Sequence, residues 1–529
     1  MKRYTIILAL ALISPVLGAQ NLNPEVQVTN EYQNRINDVV KQGVDMTIPD
    51  SLFRFDYHFD YSVFDSPYKG AYEFSPYSVT ITPDPKPYDG RKLYVRGGLG
   101  YVLKPELDLV WAAVDRKKFS VNVFASGNGF YGRYRHIAPS SFELDKSRFD
   151  KGWDFGTSVG ADTRVNISDN LVLRAEFGYD GVYTGHEIYH RDNCHAPYIS
   201  ARVGNGKGRK LSYSAGIKYR YVYDWLNGTN AIHENEVIID GVVTPEIDEF
   251  FKVSSDVELN LNGYYKAFQM HPHAVFQLGI FDFDAGLRVG WYTSHFTASP
   301  AITVSAHLLN NYLDVYAGAD GGNHNLTYWD YKSRVHRYHE SYVKPLPIRE
   351  IADLFAGVRG HADFGLQYDL KAGYRFLQNA PFWAVSASGL ETLKFQNCNE
   401  LHADLLVSWA SERLNLDGAV HYVNIPKGVE DRVFLPSAVN GTLKGGYNWM
   451  KRIYAGLSID MATGRKASVG PATVRVPGYV DVGIWGEYKY TKRLSFWLKG
   501  SNLLNHDVRI SPLFSEWGPS VIVGASFSL

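Results

Sequence analysis

From residue 91 to residue 529, apolar and polar residues exchange places with a period of two, over and over. The pattern is cleanest in the last fifty residues. Val480, Val482, Ile484, Tyr488 and Tyr490 fall on one face of a stretch whose other face carries Asp481, Trp485, Glu487 and Lys489. A turn at Thr491–Arg493 leads to Leu494, Phe496 and Leu498 opposite Ser495, Trp497 and Lys499. A final run then sets Val521, Val523, Ala525, Phe527 and Leu529 against Ile522, Gly524, Ser526 and Ser528. A period of two is that of a β-strand, and one continuous apolar face per strand requires something oily to meet it.

The same alternation predicts strands throughout. Leu93, Val95, Leu99 and Tyr101 oppose Tyr94 and Arg96; Leu171, Leu173, Ala175, Phe177 and Tyr179 oppose Arg174 and Glu176; Tyr213, Ala215, Ile217, Tyr219 and Tyr221 oppose Lys218 and Arg220. Leu366, Tyr368, Leu370, Ala372, Tyr374 and Phe376 oppose Asp369, Lys371 and Arg375. An antiparallel sheet in water also shows one wet face. Repetition with no second apolar layer to cover the strands decides the matter: the apolar faces meet lipid and the polar faces line a lumen. The fold class expected is all-β, a transmembrane antiparallel β-barrel of about 20–22 strands, at roughly ten residues per tilted strand. Its lumen-facing charges are then Arg174, Glu176, Lys218, Arg220, Asp369, Lys371, Arg375, Asp481, Glu487 and Lys489. Signs mixed at close spacing favour cross-strand bracing over a charge-selective pore.

Connections fall into two classes. Short ones include Val114–Lys118, Ser168–Asn170, Asn205–Arg209 and Thr491–Arg493; long ones include Tyr131–Gly152, Tyr183–His195, Asp224–Asp248, Gly322–Arg349, Ile425–Val439, Thr463–Val474 and Asn502–Pro519. Short periplasmic turns and long outer loops are what such barrels have. The alternation of short and long fails between Val222 and Gly263 and again near His361, so a strand is miscounted at each place.

Residues 1–19 read as a signal peptide, with Lys2 and Arg3, an apolar core from Ile6 to Val16, and the small pair Gly18-Ala19 before Gln20. Residues 20–90 differ from all that follows: seven prolines and the aromatic-acidic run Phe53–Asp65 exclude central strands and long helices. They read as an irregular periplasmic or lumen-filling segment, with room for one short helix at Asn30–Gln42. Residues 91–529 are the barrel.

Composition agrees. The 54 basic and 55 acidic residues nearly cancel, so nothing invites nucleic acid. Tyr, Trp and Phe make 14% of the chain, enough for aromatic girdles at two membrane interfaces. A mean hydropathy of -0.23 results when lumen-facing polar residues offset lipid-facing apolar ones.

Candidate chemistry is sparse. His186, His190, Cys194 and His195 have ligand types suited to zinc or copper, or are a solvated loop; His324, His336 and His339 form a second group. Cys194 and Cys398 are the only cysteines, either a disulfide or two free thiols. Ser and His are scattered over different strands, the expected background, so no enzyme is expected, and no cofactor is implied.

The stretch YVDVGIWGEYKYTKRLSFWLKGSNLLNHDV, followed by GPSVIVGASFSL, resembles the last three strands of TonB-dependent outer-membrane receptors. Asn502-Leu503 and Asn505 match the family's Asn-Leu and Asn, and Phe527 and Leu529 its closing strand. The chain is similar to a subgroup whose plug domain is absent or short, since residues 20–90 are too few for a full plug. The resemblance implies a Gram-negative outer-membrane location after signal-peptide cleavage, outer-membrane lipid around the barrel, and TonB or other envelope proteins as partners. A weak TonB-box candidate is Glu25, Val26, Gln27, Val28 and Thr29, a segment able to add a strand to a partner. The function expected is transport across, or organisation of, the outer membrane; a plug-less barrel serving as an accessory subunit, or a passive pore, remains the alternative. The sequence names no small-molecule substrate.

Overall fold

The structure, a computed structural model, describes residues 92–529 except 102, 139–140, 169, 188–190, 206–210, 227–230, 246–250, 294, 310–311, 340–343, 387–389, 426–428, 430–432, 470–471, 510 and 517. The signal peptide, residues 20–90, the TonB-box candidate Glu25–Thr29 and His190 therefore lie outside the described residues.

Twenty-two antiparallel strands form one closed barrel. Each pairs with its neighbour in sequence, and the ring closes where Leu93–Tyr101 pairs with Ser520–Ser528, in register from Tyr94 against Ser528 to Tyr101 against Val521. Closure satisfies the backbone groups at both former edges, which lipid could not do. The outward positions are apolar and bare, among them Phe177, Ile217, Leu354, Leu370, Ile484 and Val523. The described residues contain no helix long and apolar enough to cross a membrane.

The outward apolar band has a visible edge. On the strand Leu211–Leu226, outward Leu211 and Ile217 give way to Tyr219, whose hydroxyl donates to Asn235 Oδ1 at 2.8 Å, and to Tyr221, 2.7 Å from His233 Nδ1. Outward-facing Asn and His beside a row of tyrosines end the apolar band, an arrangement typical of a membrane–water interface. Above that girdle the strands continue. Leu144–Ser168 runs for 25 residues, and Leu366–Val385 and Glu391–Ala410 for 20 each, whereas Leu494–Ser501 has eight.

These extensions correct the loop lengths expected from sequence. Tyr131–Gly152 is mostly strand, since the flanking strands reach Ile137 and restart at Leu144. The stretch Asp224–Asp248 holds a whole strand, Ile232–Pro245, which restores the up-and-down count of strands there. Near His361 the strand Ile348–Ala362 meets Leu366–Val385 through a tight turn. The period-two signal depends on lipid outside and water inside; above the girdle both faces are polar and the signal fades.

Candidate functional site

The long connection between the strands Asp314–His324 and Ile348–Ala362 does not stand up into solvent. It carries the one helix among the described residues, Tyr328–Arg334, and folds into the outer mouth of the barrel. Local sequence accounts for the helix. The Thr327 side chain accepts from the Asp330 backbone N–H while the Asp330 carboxylate accepts from that of Thr327, and Lys332 and Arg334 occupy the last turn. Seven residues could not hold a helix alone. This one is held by the walls.

Tyr328, Trp329, Tyr331 and Tyr338 pack in one cluster with Val182, Cys194, Ala196 and Val222 from one side of the ring and Leu393 from another. Burying each large side chain contributes roughly 1.5–3 kcal/mol. The polar contacts span the lumen as well. His336 meets Asp154, on the fourth strand of the ring, from a loop that leaves the thirteenth. Arg337 donates to the Trp153 carbonyl at 3.0 Å and lies 4.1 Å above the Phe514 ring. Nearer the loop's root, Tyr265 donates to the Leu326 carbonyl at 2.9 Å and Asn325 to Glu258 at 2.9 Å.

At the centre sits Lys332, fully buried. Its ammonium contacts Asp192, reaches Asp224 Oδ2 at 3.0 Å and donates to the Tyr338 carbonyl at 2.9 Å, and the Tyr328 hydroxyl donates to Asp224. All lie beyond the tyrosine girdle. Burial disfavours the charge on Lys332, but Asp192 and Asp224 outweigh it and hold the ammonium above the usual lysine range. Two carboxylates share this lysine. Burial and the neighbouring Asp224 push Asp192 well above the ordinary carboxylate range, although Lys332 opposes them. Asp192 and Asp224 each turn one carboxylate oxygen to Lys332, which is what the buried ammonium has in place of water.

Outer loops add a second layer. Ile137, Phe142, Phe434, Ala467, Val476 and Leu513 form another buried cluster. Glu391 joins the layers: its backbone carbonyl accepts from His339 N at 2.9 Å and its carboxylate from Leu513 N at 2.7 Å. Burial raises the Glu391 carboxyl to about 7, against the Leu513 hydrogen bond.

The residues singled out from sequence fall as follows. Cys194 and His195 point to opposite sides of their strand: Cys194 is buried against the lumen cluster, while His195 Nδ1 lies 2.6 Å from the outward Tyr179 hydroxyl. His186 faces inward beside Tyr134 and Phe514. Cys194 pairs in register with Val182, four residues before His186, so the two are roughly 13 Å apart along the wall. The histidines of the second group part as well, His324 to Glu350 at 3.3 Å and His336 to Asp154, while buried His339 donates its backbone N–H to the Glu391 carbonyl. Cys194 and Cys398 are both buried and free, in different clusters.

Most of the charges expected in the lumen have partners. Arg375 meets Glu400 at 3.0 Å and Lys371 meets Asp353 at 3.3 Å. Arg220 pairs with Asp180 at 3.1 Å, Glu176 accepts from Tyr198 and Asp369 from Tyr316. Asp481 accepts from Asn502 N and Lys489 lies 3.3 Å from the Tyr454 hydroxyl. Arg174 is exposed, Lys218 half-buried, and Glu487 pairs in register with Tyr454 and Trp497. Sequence reasoning missed Lys332, whose partner Asp192 is 140 residues away. The helix itself had a signal, the Thr327–Asp330 spacing.

No known protein family and no curated protein matches this chain in sequence. Solved structures do match. The siderophore receptor PirA from Acinetobacter baumannii superimposes with a TM-score of 0.62 at 9% identity, over 83% of this chain and 80% of that one. The ferric-catecholate import receptor Fiu from E. coli K12 gives 0.61 at 11%, over 84% and 82%. The copper transporter OprC gives 0.60 at 13%, over 83% and 80%. At such identities the likeness is one of fold: this chain closes a 22-strand antiparallel barrel as those structures do.

Proposed function

We propose that the protein is an outer-membrane transport barrel of TonB-dependent-receptor type, whose outer mouth is closed by the inward-folded segment 325–339. One observation carries this reading: a helix with a fully buried, doubly paired lysine packs against walls nine strands apart, where a passive pore would keep water. Similar barrels belong to siderophore receptors and a copper transporter, and a closed mouth suits capture of a scarce solute better than free diffusion. The paired lumen charges brace the wall under the closed mouth. Residues 20–90 would serve as a short plug or docking arm, and Glu25–Thr29 as the contact with TonB.

Single-channel recording in planar bilayers tests the reading. The mature protein should show a small, flickering conductance, and deletion of residues 326–338 should open it several-fold. A large steady conductance in the intact protein would leave a passive pore. Co-purification with TonB, lost on deleting residues 25–30, separates energised uptake from an accessory role.

A further inference from the structure

Below the root of the lumen-crossing segment, the inner wall carries a donor set that the transport reading does not use. On the strand Lys266–Leu278, Gln269, His271 and His273 face the lumen in succession. Gln269 is the anchor of the segment, accepting from Asn323 N at 2.7 Å. The next two inward positions are the histidines, with rings stacked 4.4 Å apart at 17°. Asp256, on the adjoining strand Phe251–Leu261, stands directly across from His271, with Oδ2 3.4 Å from its Nδ1. One donor atom from each of the three lies within 4.8 Å of the others, the only such cluster among the described residues.

Three further observations point to a ligand. His271 is 15% exposed, and its Nε2 is buried with no hydrogen-bond partner, a loss for an imidazole unless something binds there. Asp256 is 46% exposed, so the cluster opens onto the lumen. Gly286, in register with His273, provides the room: a Cβ there would sit 2.5 Å from His273 Cβ and 3.0 Å from His271 Nε2. The nearby cation Arg288 is occupied by Asp320 and by the Gly321 carbonyl at 2.7 Å.

We infer that Asp256, His271 and His273 form a binding site for a divalent first-row transition metal, Zn(II) or Cu(II). Two imidazoles and one carboxylate are a borderline donor set that disfavours Mg(II) and Ca(II) and leaves coordination positions open to water or to a ligand carried with the metal. Metal–nitrogen bonds of about 2.0–2.1 Å need only small side-chain rotations to draw the three donors together. Binding here does not require that the lumen transport anything, so it stands or falls separately from the uptake reading.

The test uses the tag-free mature protein in detergent, titrated calorimetrically with ZnCl2 and, separately, CuCl2. Wild type should take up a lumen equivalent that His271→Ala/His273→Ala loses, and that Asp256→Asn weakens by about tenfold or more. Cu(II) bound to wild type should show nitrogen hyperfine splitting in its EPR spectrum that the double variant lacks. His186→Ala/His195→Ala should titrate as wild type does. Heat-modifiable migration on gels confirms that each variant is a folded barrel; should the double variant fail this, Asp256→Asn and Gly286→Val, which crowds the ring pair, replace it. No binding by wild type, or full binding by the folded double variant, overturns the site.

Discussion

The two ends of this barrel are built by different physics. Toward the short turns, the wall is a closed ladder whose outer face is apolar and bare and whose inner charges pair while partly wet, as Arg202 and Asp240 do at 2.6 Å with side chains 47% and 30% exposed. Toward the long loops, the strands rise past the tyrosine girdle and surround a core like that of a soluble protein, with Tyr328, Tyr338 and Lys332 fully buried. The ladder is held by backbone hydrogen bonds that no side-chain change can remove. The mouth is held by side chains, and by one buried ionic group above all. The first should therefore be insensitive to point substitution and the second sensitive to it.

The largest expected effect is at Lys332. Lys332→Ala leaves Asp192 and Asp224 buried without their cation, a loss of about 3–5 kcal/mol for the closed mouth. Conductance should rise, and trypsin should cut at Arg334 or Arg337, while unboiled protein still migrates as a folded barrel. Combining Lys332→Met with Asp192→Asn and Asp224→Asn removes the charges together and should restore part of the closure, because no uncompensated buried charge is left. If Lys332→Ala instead unfolded the whole barrel, the division between the two ends would be lost.

A step smaller is Tyr328→Phe, which removes the hydroxyl donated to buried Asp224 and keeps the ring in its cluster. The cost should be about 1–3 kcal/mol. Protease protection of the mouth should fall accordingly, with the conductance between those of wild type and Lys332→Ala.

What the sequence reveals follows the same division. Where lipid meets one face and water the other, alternation such as Ile484–Lys489 is legible residue by residue, and closure of the ring follows from it. Above the girdle the strand Ile232–Pro245 opens with His233, Glu234, Asn235 and Glu236, polar on both faces, and so reads as loop. Its inward acids are buried in the closed mouth. The pairing of Lys332 with Asp192 was hidden for another reason: nothing local to a lysine in a capped helix says that it will be buried against a strand 140 residues away. His271 and His273 are visible as neighbours on one strand face, but Asp256 joins them only through strand register.

The mouth should respond to pH and the ladder should not. Burial, with the Arg337 guanidinium nearby, pushes His186 down to about 3, so its imidazole is neutral in the closed state. When the mouth opens it returns to an ordinary value near 6.5. Its contribution to closure is therefore complete above about pH 6.5 and erodes as pH falls toward 3. Asp192, raised in the closed state, acts in the opposite sense and loses its contribution as pH rises. Glu391, raised to about 7, acts in the same sense as Asp192, so His186 is read by difference: as pH falls from 7 to 5, His186→Phe, which fits between Tyr134 and Phe514, should keep the mouth closed better than wild type does. An unchanged pH response in His186→Phe would assign the effect to another group.

The smallest effect should come from the other end. Arg202→Ala breaks the pair with Asp240, but both partners stay wetted by the lumen, and exposed pairs contribute only about 0–1 kcal/mol. Thermal melting followed by heat-modifiable migration should shift within error, and conductance should remain that of the closed protein. The ladder next to Arg202 explains why: Arg202 stands in register with Arg174 on one side and Gly216 on the other, and the backbone bonds of those pairings survive the substitution untouched. A loss at Arg202→Ala as large as that at Lys332→Ala would mean that the wall, too, depends on individual side chains, and that the closed mouth and the ladder below it fold as one cooperative unit.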